Sequence, residues 1–335
     1  MNNNIKVFVT GASGFIGRSL CYALAKRGYL VHALCRNVNH PFLLKHENIS
    51  FYNGDILDES SLKHGMNGCQ FVYHTAAMAK MWCRNNREFY DVNVLGTRNV
   101  LKTAMFLNVQ KLVYTSTCGV WGPTIKHPMD EYSPRIAGFP IVYERTKFLA
   151  ELEVNSFVDQ GLNIVTVNPS RVFGEGPVTD SNTVSKMIKG YLNGTWRIIP
   201  GKGDSVANYA FLDDVVEGHI AAMEYGLKGN RYILGGEDIS FNRFFETLFE
   251  LTGKHLQMLR IPQKMIKMYS QVDWLKTQIT GIPPVFLPEF ADRLKYDQKY
   301  SSAKAIEHLN YKITPFALGM GKTVHYLQNQ RICRN

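Results

Sequence analysis

A glycine-spaced turn near the start of the 335-residue chain constrains its fold more than any other stretch. Residues 6–17 read K-V-F-V-T-G-A-S-G-F-I-G, a short apolar run followed by the beginning of an amphipathic segment. The run predicts a buried strand, and the glycines permit a tight turn, close approach to a pyrophosphate and close packing of helix on strand. Unpaired N–H groups at the helix N-terminus would bind the phosphates. The stretch predicts a dinucleotide site formed by Gly11, Ser13, Gly14, Phe15, Ile16 and Gly17.

Strand-like and helix-like segments alternate from this turn to about residue 174. Further strands are predicted at residues 29–35, 49–52, 71–74, 111–114 and 162–167, and a long helix at 86–107. This alternation predicts an α/β fold with a doubly wound parallel sheet of the Rossmann type. Beyond residue 174 helix-like stretches dominate, among them residues 263–280, and two short strand-like pieces occur at residues 196–199 and 231–234. We expect a dinucleotide-binding domain over residues 1–174 and a smaller, mixed but mainly helical substrate region over 175–335, with some crossing of the chain between them.

Arg36 stands at the end of the second predicted strand, where the adenosine ribose of the cofactor is recognised. An acidic residue there favours NAD, whereas an arginine can pair with the 2′-phosphate of NADP. Neither Asp nor Glu occurs between Arg36 and His46. The sequence therefore predicts NADP as the cofactor, with NAD as the alternative.

Further cofactor contacts are expected at the carboxyl ends of the later strands, the binding edge of an open parallel sheet. Asp55 could reach an adenine amino group or cap the next helix, a role for which Asp58 competes. His74 lies inside its strand and is interpreted as structural. Asn93 either bonds backbone near the cofactor or faces an edge. The cofactor residues expected here are Asp55, Ile56, Thr75, Ala76, Ala77, Asn93, Pro169 and Ser170.

Tyr143 and Lys147 are four residues apart in a predicted helix, which places them on one helical face. The ammonium group would lower the pKa of the phenol, which could then exchange a proton with a carbinol oxygen. By itself this spacing is often a chance surface pair. Here it follows the hydroxyl cluster Thr115-Ser116-Thr117 at the end of the fifth predicted strand, which favours a catalytic role.

These motifs resemble the extended short-chain dehydrogenase/reductase superfamily, which includes the NAD-dependent epimerases and dehydratases. The resemblance covers nearly the whole chain, from the glycine turn through Gly54-Asp55 to the F-L-D-D-V segment at residues 211–215, and is nearest to the dihydroflavonol-reductase-like group. It implies that Tyr143 is the acid/base, that Lys147 is its electrostatic and ribose partner, and that Thr117 binds the substrate oxygen. It also implies that Pro169 and Ser170 border the nicotinamide.

The function that this resemblance implies is NADP(H)-dependent reduction of a carbonyl or oxidation of an alcohol. The alternatives are an NAD-dependent nucleotide-sugar epimerase and a 3β-hydroxysteroid-type dehydrogenase. Many epimerases carry an Arg-Asp pair where this chain has Ala207 and Asn208, so the pyrophosphate-gripping cation is absent there. Arg171, Arg197 and Arg231 stay open as substitutes. Dehydratases usually add a carboxylate where this chain has Cys118.

Aromatic and methionine side chains near these motifs suggest a small apolar or aromatic substrate, although core packing explains each of them as well. They are Met78, Met81, Trp82, Trp121, Phe139 and Phe173.

Composition indicates a soluble cytoplasmic protein. The six scattered cysteines are interpreted as free thiols without metal-binding spacing, and Met-Asn-Asn-Asn leaves no room for a signal peptide before the first strand. No apolar run is long enough to span a membrane. We expect no metal site, since the cysteines lack metal-binding spacing. The net charge of +10 is dispersed and no nucleic-acid-binding module is visible, so we expect no nucleic-acid partner. The resemblance implies a homodimer through the helices near residues 86–107 and 143–158.

Overall fold

The computed structural model describes residues 5–80, 82–135, 138, 141–179, 181–284, 287–294 and 296–332. The strands are β1 (Lys6–Thr10), β2 (Leu30–Cys35), β3 (Ile49–Asn53), β4 (Phe71–His74), β5 (Lys111–Thr115), β6 (Ile164–Pro169), β7 (Arg171–Phe173), β8 (Ile198–Pro200), β9 (Val206–Phe211), β10 (Arg231–Leu234), β11 (Glu237–Ser240) and β12 (Leu259–Ile261). The helices are α1 (Phe15–Lys26), α2 (Glu59–Met66), α3 (Arg87–Tyr90), α4 (Gly96–Phe106), α5 (Val142–Asp159), α6 (Thr183–Asn193), α7 (Leu212–Tyr225), α8 (Phe241–Thr252), α9 (Gln263–Thr280), α10 (Pro288–Arg293), α11 (Ala303–Leu309) and α12 (Phe316–Ile332).

A parallel sheet of seven strands, in the order β10-β6-β5-β4-β1-β2-β3, forms the centre of the molecule. The central position of β1 follows from its apolar run, since Val7, Phe8 and Val9 are buried completely. Val7 and Val9 share a core with α1 and α7 on one face, and Phe8 shares a core with α2, α4 and α5 on the other. Helices thus cover both faces, which confirms the doubly wound Rossmann fold predicted from the sequence.

The predicted strands up to β6 all occur, with ends shifted by at most two residues. The helix predicted over residues 86–107 is different, because it is interrupted. A wider π-helical turn, Asp91–Leu95, separates α3 from α4. The hydroxyl of Thr97, in the first turn of α4, donates to the carbonyl of Asn93 in this turn at 2.6 Å, a type of side-chain bond that bends helices. This turn carries Asn93 into the protein interior.

The chain beyond residue 174 returns to the main sheet, where β10 pairs with β6 and α7 packs against α1. The remaining strands form a three-stranded sheet, β11-β9-β7, and a pair, β12-β8. The sequence indicated strands here only at residues 196–199 and 231–234. The strands β7, β9, β11 and β12 escaped detection because they are short and mix polar with apolar residues. The domain boundary at residue 174 stays a prediction.

An aromatic cluster forms the core of the C-terminal region. Its rings pack with centroids 5.3 to 5.8 Å apart and belong to Phe173, Tyr209, Phe211, Phe244 and Phe316. Because β7 follows β6 after a single residue, this core begins at the carboxyl end of the main sheet. The C-terminal region therefore lies beside the edge at which parallel sheets bind ligands.

The described cysteines are free thiols that form no disulfide bond with one another, in agreement with the prediction. They are Cys21, Cys35, Cys69, Cys83 and Cys118, whereas Cys333 lies outside the described residues.

Candidate active site

A cleft of about 300 Å³ runs along the carboxyl ends of the central strands. Both the Rossmann sheet and the C-terminal region contribute walls to it. The predicted site residues that line it are Gly14, Phe15, Ile16, Gly17, Thr75, Ala77, Thr117, Tyr143, Pro169 and Ser170. Side chains from distant parts of the sequence therefore meet at one site.

The glycine turn between β1 and α1 has the geometry of a phosphate cradle. Gly11 has φ of +73°, and a β-carbon on Gly17 would lie 2.2 Å from the Gly11 carbonyl oxygen. Gly14 is the N-cap of α1 and has no side chain that could bond the first N–H groups of the helix. These groups stay available to an anion at the positive end of the helix dipole. The residues present fit a dinucleotide pyrophosphate.

Arg36 follows β2, and Asp55 and Ile56 follow β3, at the places where contacts to the adenosine were predicted. The Ala12 amide donates to the Leu34 carbonyl at 3.3 Å, which holds the turn against the end of β2, where Arg36 is exposed. The Asp55 carboxylate accepts from the Leu57 amide at 2.9 Å. Ile56 is buried, so its side chain shapes the fold around the cleft rather than reaching into it.

Asp58, and not Asp55, caps the helix that follows. The Asp58 carboxylate accepts from the Ser60 amide at 2.9 Å at the start of α2. Two roles were considered for Asp55, contact with the adenine and capping of this helix. Asp58 caps the helix, so the adenine contact is the role that stays a prediction for Asp55.

His74 bridges two threonines beneath the cleft. One ring nitrogen lies 2.7 Å from the Thr10 hydroxyl and the other 3.0 Å from the Thr97 hydroxyl. Burial lowers the pKa of His74 to about 3, so the ring is neutral near pH 7. Its structural role, predicted from its place inside β4, follows from these contacts.

Asn93 ties the loop after β4 to the helix that carries Tyr143. Its amide oxygen accepts from the Met78 amide at 2.8 Å, and its amide nitrogen donates to the Thr146 hydroxyl at 2.9 Å. Of the two possibilities that the sequence left open, backbone bonding near the site is observed. The side chain is buried, so Asn93 positions its neighbours and does not line the cleft.

Tyr143 and Thr117 both line the cleft. Tyr143 lies in the first turn of α5, and Thr117 follows β5. Burial raises the pKa of Tyr143 to about 12, while the effect of Thr117 acts in the opposite direction and is weaker. The phenol is therefore protonated at neutral pH, which suits a proton donor.

Lys147 lies one turn farther along α5 and is 1% exposed. Its ammonium nitrogen donates to the Thr115 carbonyl at 2.7 Å and lies 4.3 Å from the centre of the Tyr114 ring. Burial lowers the pKa of Lys147 to about 7, although the charge of Glu151 acts in the opposite direction. The expected lowering of the Tyr143 pKa is not observed in this structure, because burial of the phenol outweighs its stabilising contacts.

Cys118 occupies the position where a dehydratase-type carboxylate was considered. It is buried, and its thiol donates to the Asn168 carbonyl at 3.1 Å. Burial raises the pKa of Cys118 well above its usual value. A thiol in this state cannot act as a base near neutral pH, so Cys118 gives no support to dehydratase chemistry.

Of the arginines considered as anion-binding residues, Arg171 lines the cleft. It donates to the Gln298 amide oxygen at 2.9 Å. Arg231 instead forms an ion pair with the buried Glu151, and Arg197 is exposed and bonds the Gly194 carbonyl. Ala207 and Asn208 are buried in β9.

Arg293 is a cleft residue that the sequence did not reveal. It lines the cleft from α10 and forms an ion pair with Glu144, the residue after Tyr143. Burial lowers the pKa of Arg293. No local pattern could have joined two residues so far apart in the chain.

The apolar residues predicted around the substrate are mostly placed elsewhere. Trp121 and Phe173 are buried in core clusters, and Trp82 lines a second cavity. Met78 is partly buried beside Asn93, while Met81 and Phe139 lie outside the described residues. The apolar walls of the cleft come instead from Phe15, Ile16, Ile141, Val172 and Val184.

Comparison with known proteins agrees with this geometry. Residues 7–235 match the model of the NAD dependent epimerase/dehydratase family. A Synechocystis protein named "Putative dihydroflavonol 4-reductase" is 30% identical over 96% of this chain and 94% of its own length. Sterol demethylase protein B of Methylococcus capsulatus is 32% identical over 77% of this chain and 78% of its own length.

A solved structure extends the comparison to the fold. An epimerase from Methanothermobacter thermautotrophicus superposes with a TM-score of 0.82 and 27% identity, covering 99% of this chain and 95% of that one. With the family match, the glycine turn and the Tyr143–Lys147 arrangement, the chain belongs to the NAD-dependent epimerase/dehydratase family of oxidoreductases.

Proposed function

We propose that this protein is an NADP(H)-dependent oxidoreductase that interconverts a carbonyl and an alcohol on a small substrate with an apolar or aromatic body. The observation that carries the proposal is that Tyr143 and Thr117 line the same cleft, with Lys147 one helical turn beyond Tyr143. When bound, the nicotinamide supplies or accepts the hydride. The cofactor residues are those named above along the glycine turn and the strand ends.

The chain's own residues manage the proton. Tyr143 gives its phenolic proton to the carbonyl oxygen during reduction and takes it back during oxidation. The Thr117 hydroxyl donates a hydrogen bond to the same oxygen as negative charge develops on it. Lys147 carries a positive charge one turn behind the phenol, which favours the tyrosinate left after proton transfer.

The choice of NADP rests on Arg36. It is exposed at the end of β2, next to the glycine turn that would hold the pyrophosphate. A guanidinium group there can form paired, charge-assisted bonds to a 2′-phosphate.

The substrate is proposed to bind between the predicted dinucleotide domain, residues 1–174, and the C-terminal region. Ile141, Val172 and Val184 offer it apolar contact. The naming of a relative as a sterol demethylase protein supports an apolar substrate body.

Nucleotide-sugar epimerisation is the second candidate. Two arginines in the cleft, Arg171 and Arg293, favour it because they could face an anionic substrate. Arg293 is already paired with Glu144, whereas Arg171 bonds the neutral amide of Gln298 and lies over the Tyr209 ring, so Arg171 is the cation better placed for such a substrate.

Substitution of Tyr143 by phenylalanine tests the proposal. Tyr143→Phe should lower turnover by about a hundredfold to ten-thousandfold, the usual worth of a general acid, and leave the Kd for NADPH almost unchanged. Turnover is followed by NADPH absorbance over aldehydes, ketones, sterols and nucleotide sugars. Tyr73→Phe, a buried tyrosine of β4, is the matched control and should keep full activity.

Full activity in Tyr143→Phe would refute the assigned proton donor. Conversion of a nucleotide sugar without net consumption of NADPH would establish the second candidate instead. That conversion must be assayed by its product.

A further inference from the structure

The outer face of α9 carries a continuous row of exposed apolar side chains, which we call the apolar stripe. Its members are Met265, Met268, Val272, Leu275 and Ile279, which are 54%, 62%, 64%, 59% and 80% exposed. Their spacing of three and four residues places them on one side of the helix. The stripe is therefore a surface of the folded protein and not a set of scattered residues.

The inner face of the same helix is mostly polar. Ser270, Asp273 and Thr277 are buried there together with Ile266. The Ser270 hydroxyl donates to the Lys267 carbonyl at 2.7 Å, and the Thr277 hydroxyl donates to the Asp273 carbonyl at 2.9 Å. These hydroxyls bond within the helix and so can be buried at little cost. The usual pattern of a surface helix, apolar inside and polar outside, is inverted in α9.

The exposed charged residues of α9 itself are lysines. Lys264 and Lys276 are exposed on α9, and its one acidic residue, Asp273, is buried. The chain as a whole has a net charge of +10. Pairing of two copies through the stripe would bring lysines together with no acidic residue of either helix to balance them. An anionic surface complements both the stripe and its flanking lysines.

We propose that the apolar stripe of α9 docks this protein on an anionic lipid bilayer. The helix would lie in the plane of the interface with its apolar residues among the acyl chains and its lysines at the headgroups. Tyr269, also exposed and at the edge of the stripe, is an amphipathic ring of the kind found at that level. None of the helices in the described part of the chain could span a bilayer.

The helix that carries the stripe also borders a second cavity. Trp274 and Thr277 of α9 line it together with Trp82 and Ile141. Ile141 also lines the cleft of the candidate active site. The cavity lies on the side of α9 away from the stripe and shares a wall residue with the cleft.

Vesicle flotation tests the proposal on the full chain. The wild-type protein should float with vesicles of equal parts phosphatidylglycerol and phosphatidylcholine, and less so with pure phosphatidylcholine or in added salt. Val272→Ser/Leu275→Ser/Ile279→Ser should lower the partition coefficient about tenfold or more, because a serine side chain buries much less apolar surface in the bilayer than the side chain that it replaces. The matched control, Ile125→Ser/Leu227→Ser/Leu318→Ser, changes side chains that are 60%, 58% and 56% exposed elsewhere and should bind like wild type.

A second variant keeps the test decisive if the triple substitution disturbs folding. Lys264→Glu/Lys276→Glu retains the apolar stripe and should weaken binding to the anionic vesicles about tenfold. Wild-type protein that stays unbound with anionic vesicles would overturn the proposal. So would equal losses in the stripe variant and its control. A wild-type oligomer that the stripe substitutions dissociate would assign the stripe to a second copy of the chain.

Discussion

The side-chain nitrogen of Lys147 donates a 2.7 Å hydrogen bond to the main-chain oxygen of Thr115, at the carboxyl end of β5. This bond holds the ammonium group at the strand end that leads into the hydroxyl cluster. Lys147 is also buried, and this burial lowers the pKa of its ammonium group from 10.5 to about 7. The charge of this residue therefore changes within the physiological pH range, which connects the fold to the pH dependence of the proposed reaction.

The rate of reduction should fall as the pH rises through about 7, because Lys147 then loses the proton whose charge favours the tyrosinate. Tyr143 does not cause this fall, since burial raises its pKa to about 12. Lys147→Met should lower kcat/KM by about a hundredfold at pH 6. It should also abolish the fall in kcat/KM that the wild type shows as the pH rises through about 7. The measurement is kcat/KM for the carbonyl substrate from pH 5 to 9.

Lys111→Met provides the control for this profile. Lys111 is also a buried lysine with a lowered pKa, but it bonds the Met223 and Gly226 carbonyls, away from the cleft. This variant should keep the fall in kcat/KM near pH 7. If the pH profile of Lys147→Met follows that of the wild type, a group other than Lys147 causes the fall.

Reversal of the charge at Arg36 should change the cofactor preference. Arg36→Glu should weaken NADPH binding by about tenfold to a hundredfold, the worth of a charge-assisted bond, and leave NADH binding intact or improved. Fluorescence titration with both cofactors measures the two Kd values. Arg197→Glu, an exposed arginine that bonds the Gly194 carbonyl, should leave both unchanged. Wild-type preference for NADH would contradict the role assigned to Arg36.

The same glycine-to-alanine change should have opposite effects in two helices. In Gly17→Ala the new β-carbon would lie 2.2 Å from the Gly11 carbonyl oxygen, so we expect a loss of about 1–3 kcal/mol in the free energy of unfolding and weaker NADPH binding. In Gly321→Ala the nearest atom lies 3.7 Å away, and the higher helix propensity of alanine should stabilise the protein by about 0.5–1 kcal/mol. Urea denaturation measures both. If the two variants change the free energy of unfolding equally, the glycine turn tolerates a β-carbon at Gly17.

Removal of Arg293 should destabilise the protein strongly, because Glu144 would be left as a buried carboxylate without this partner. Arg293→Met should lower the free energy of unfolding by about 3–5 kcal/mol. Arg243→Met removes an arginine from exposed ion pairs with Glu246 and Glu250 and should leave the melting temperature nearly unchanged. A melting temperature of Arg293→Met equal to that of wild type would mean that the pair is dispensable.

Much of the fold could be predicted because its signals are local. The strands of the Rossmann sheet are apolar runs bounded by turn residues, and the glycines at 11, 14 and 17 read directly as a strand–turn–helix. The four-residue spacing of Tyr143 and Lys147 likewise follows from helix geometry. The bounds of α9 were predicted as residues 263–280, where they occur.

The tertiary structure decided the features that depend on contacts between residues far apart in the chain, such as strand order, ion pairs and helix orientation. The sequence could not place β10 beside β6, pair Glu144 with Arg293, or indicate that α9 turns its polar side inward. It also misjudged the pKa of Tyr143, because the cost of burying a phenolate depends on packing that residues near it in the chain do not determine. The sequence by itself determined the Rossmann fold and the helical spacing of Tyr143 and Lys147 through short-range geometry, while long-range contacts decided which groups are buried, their charge states and which surface is exposed.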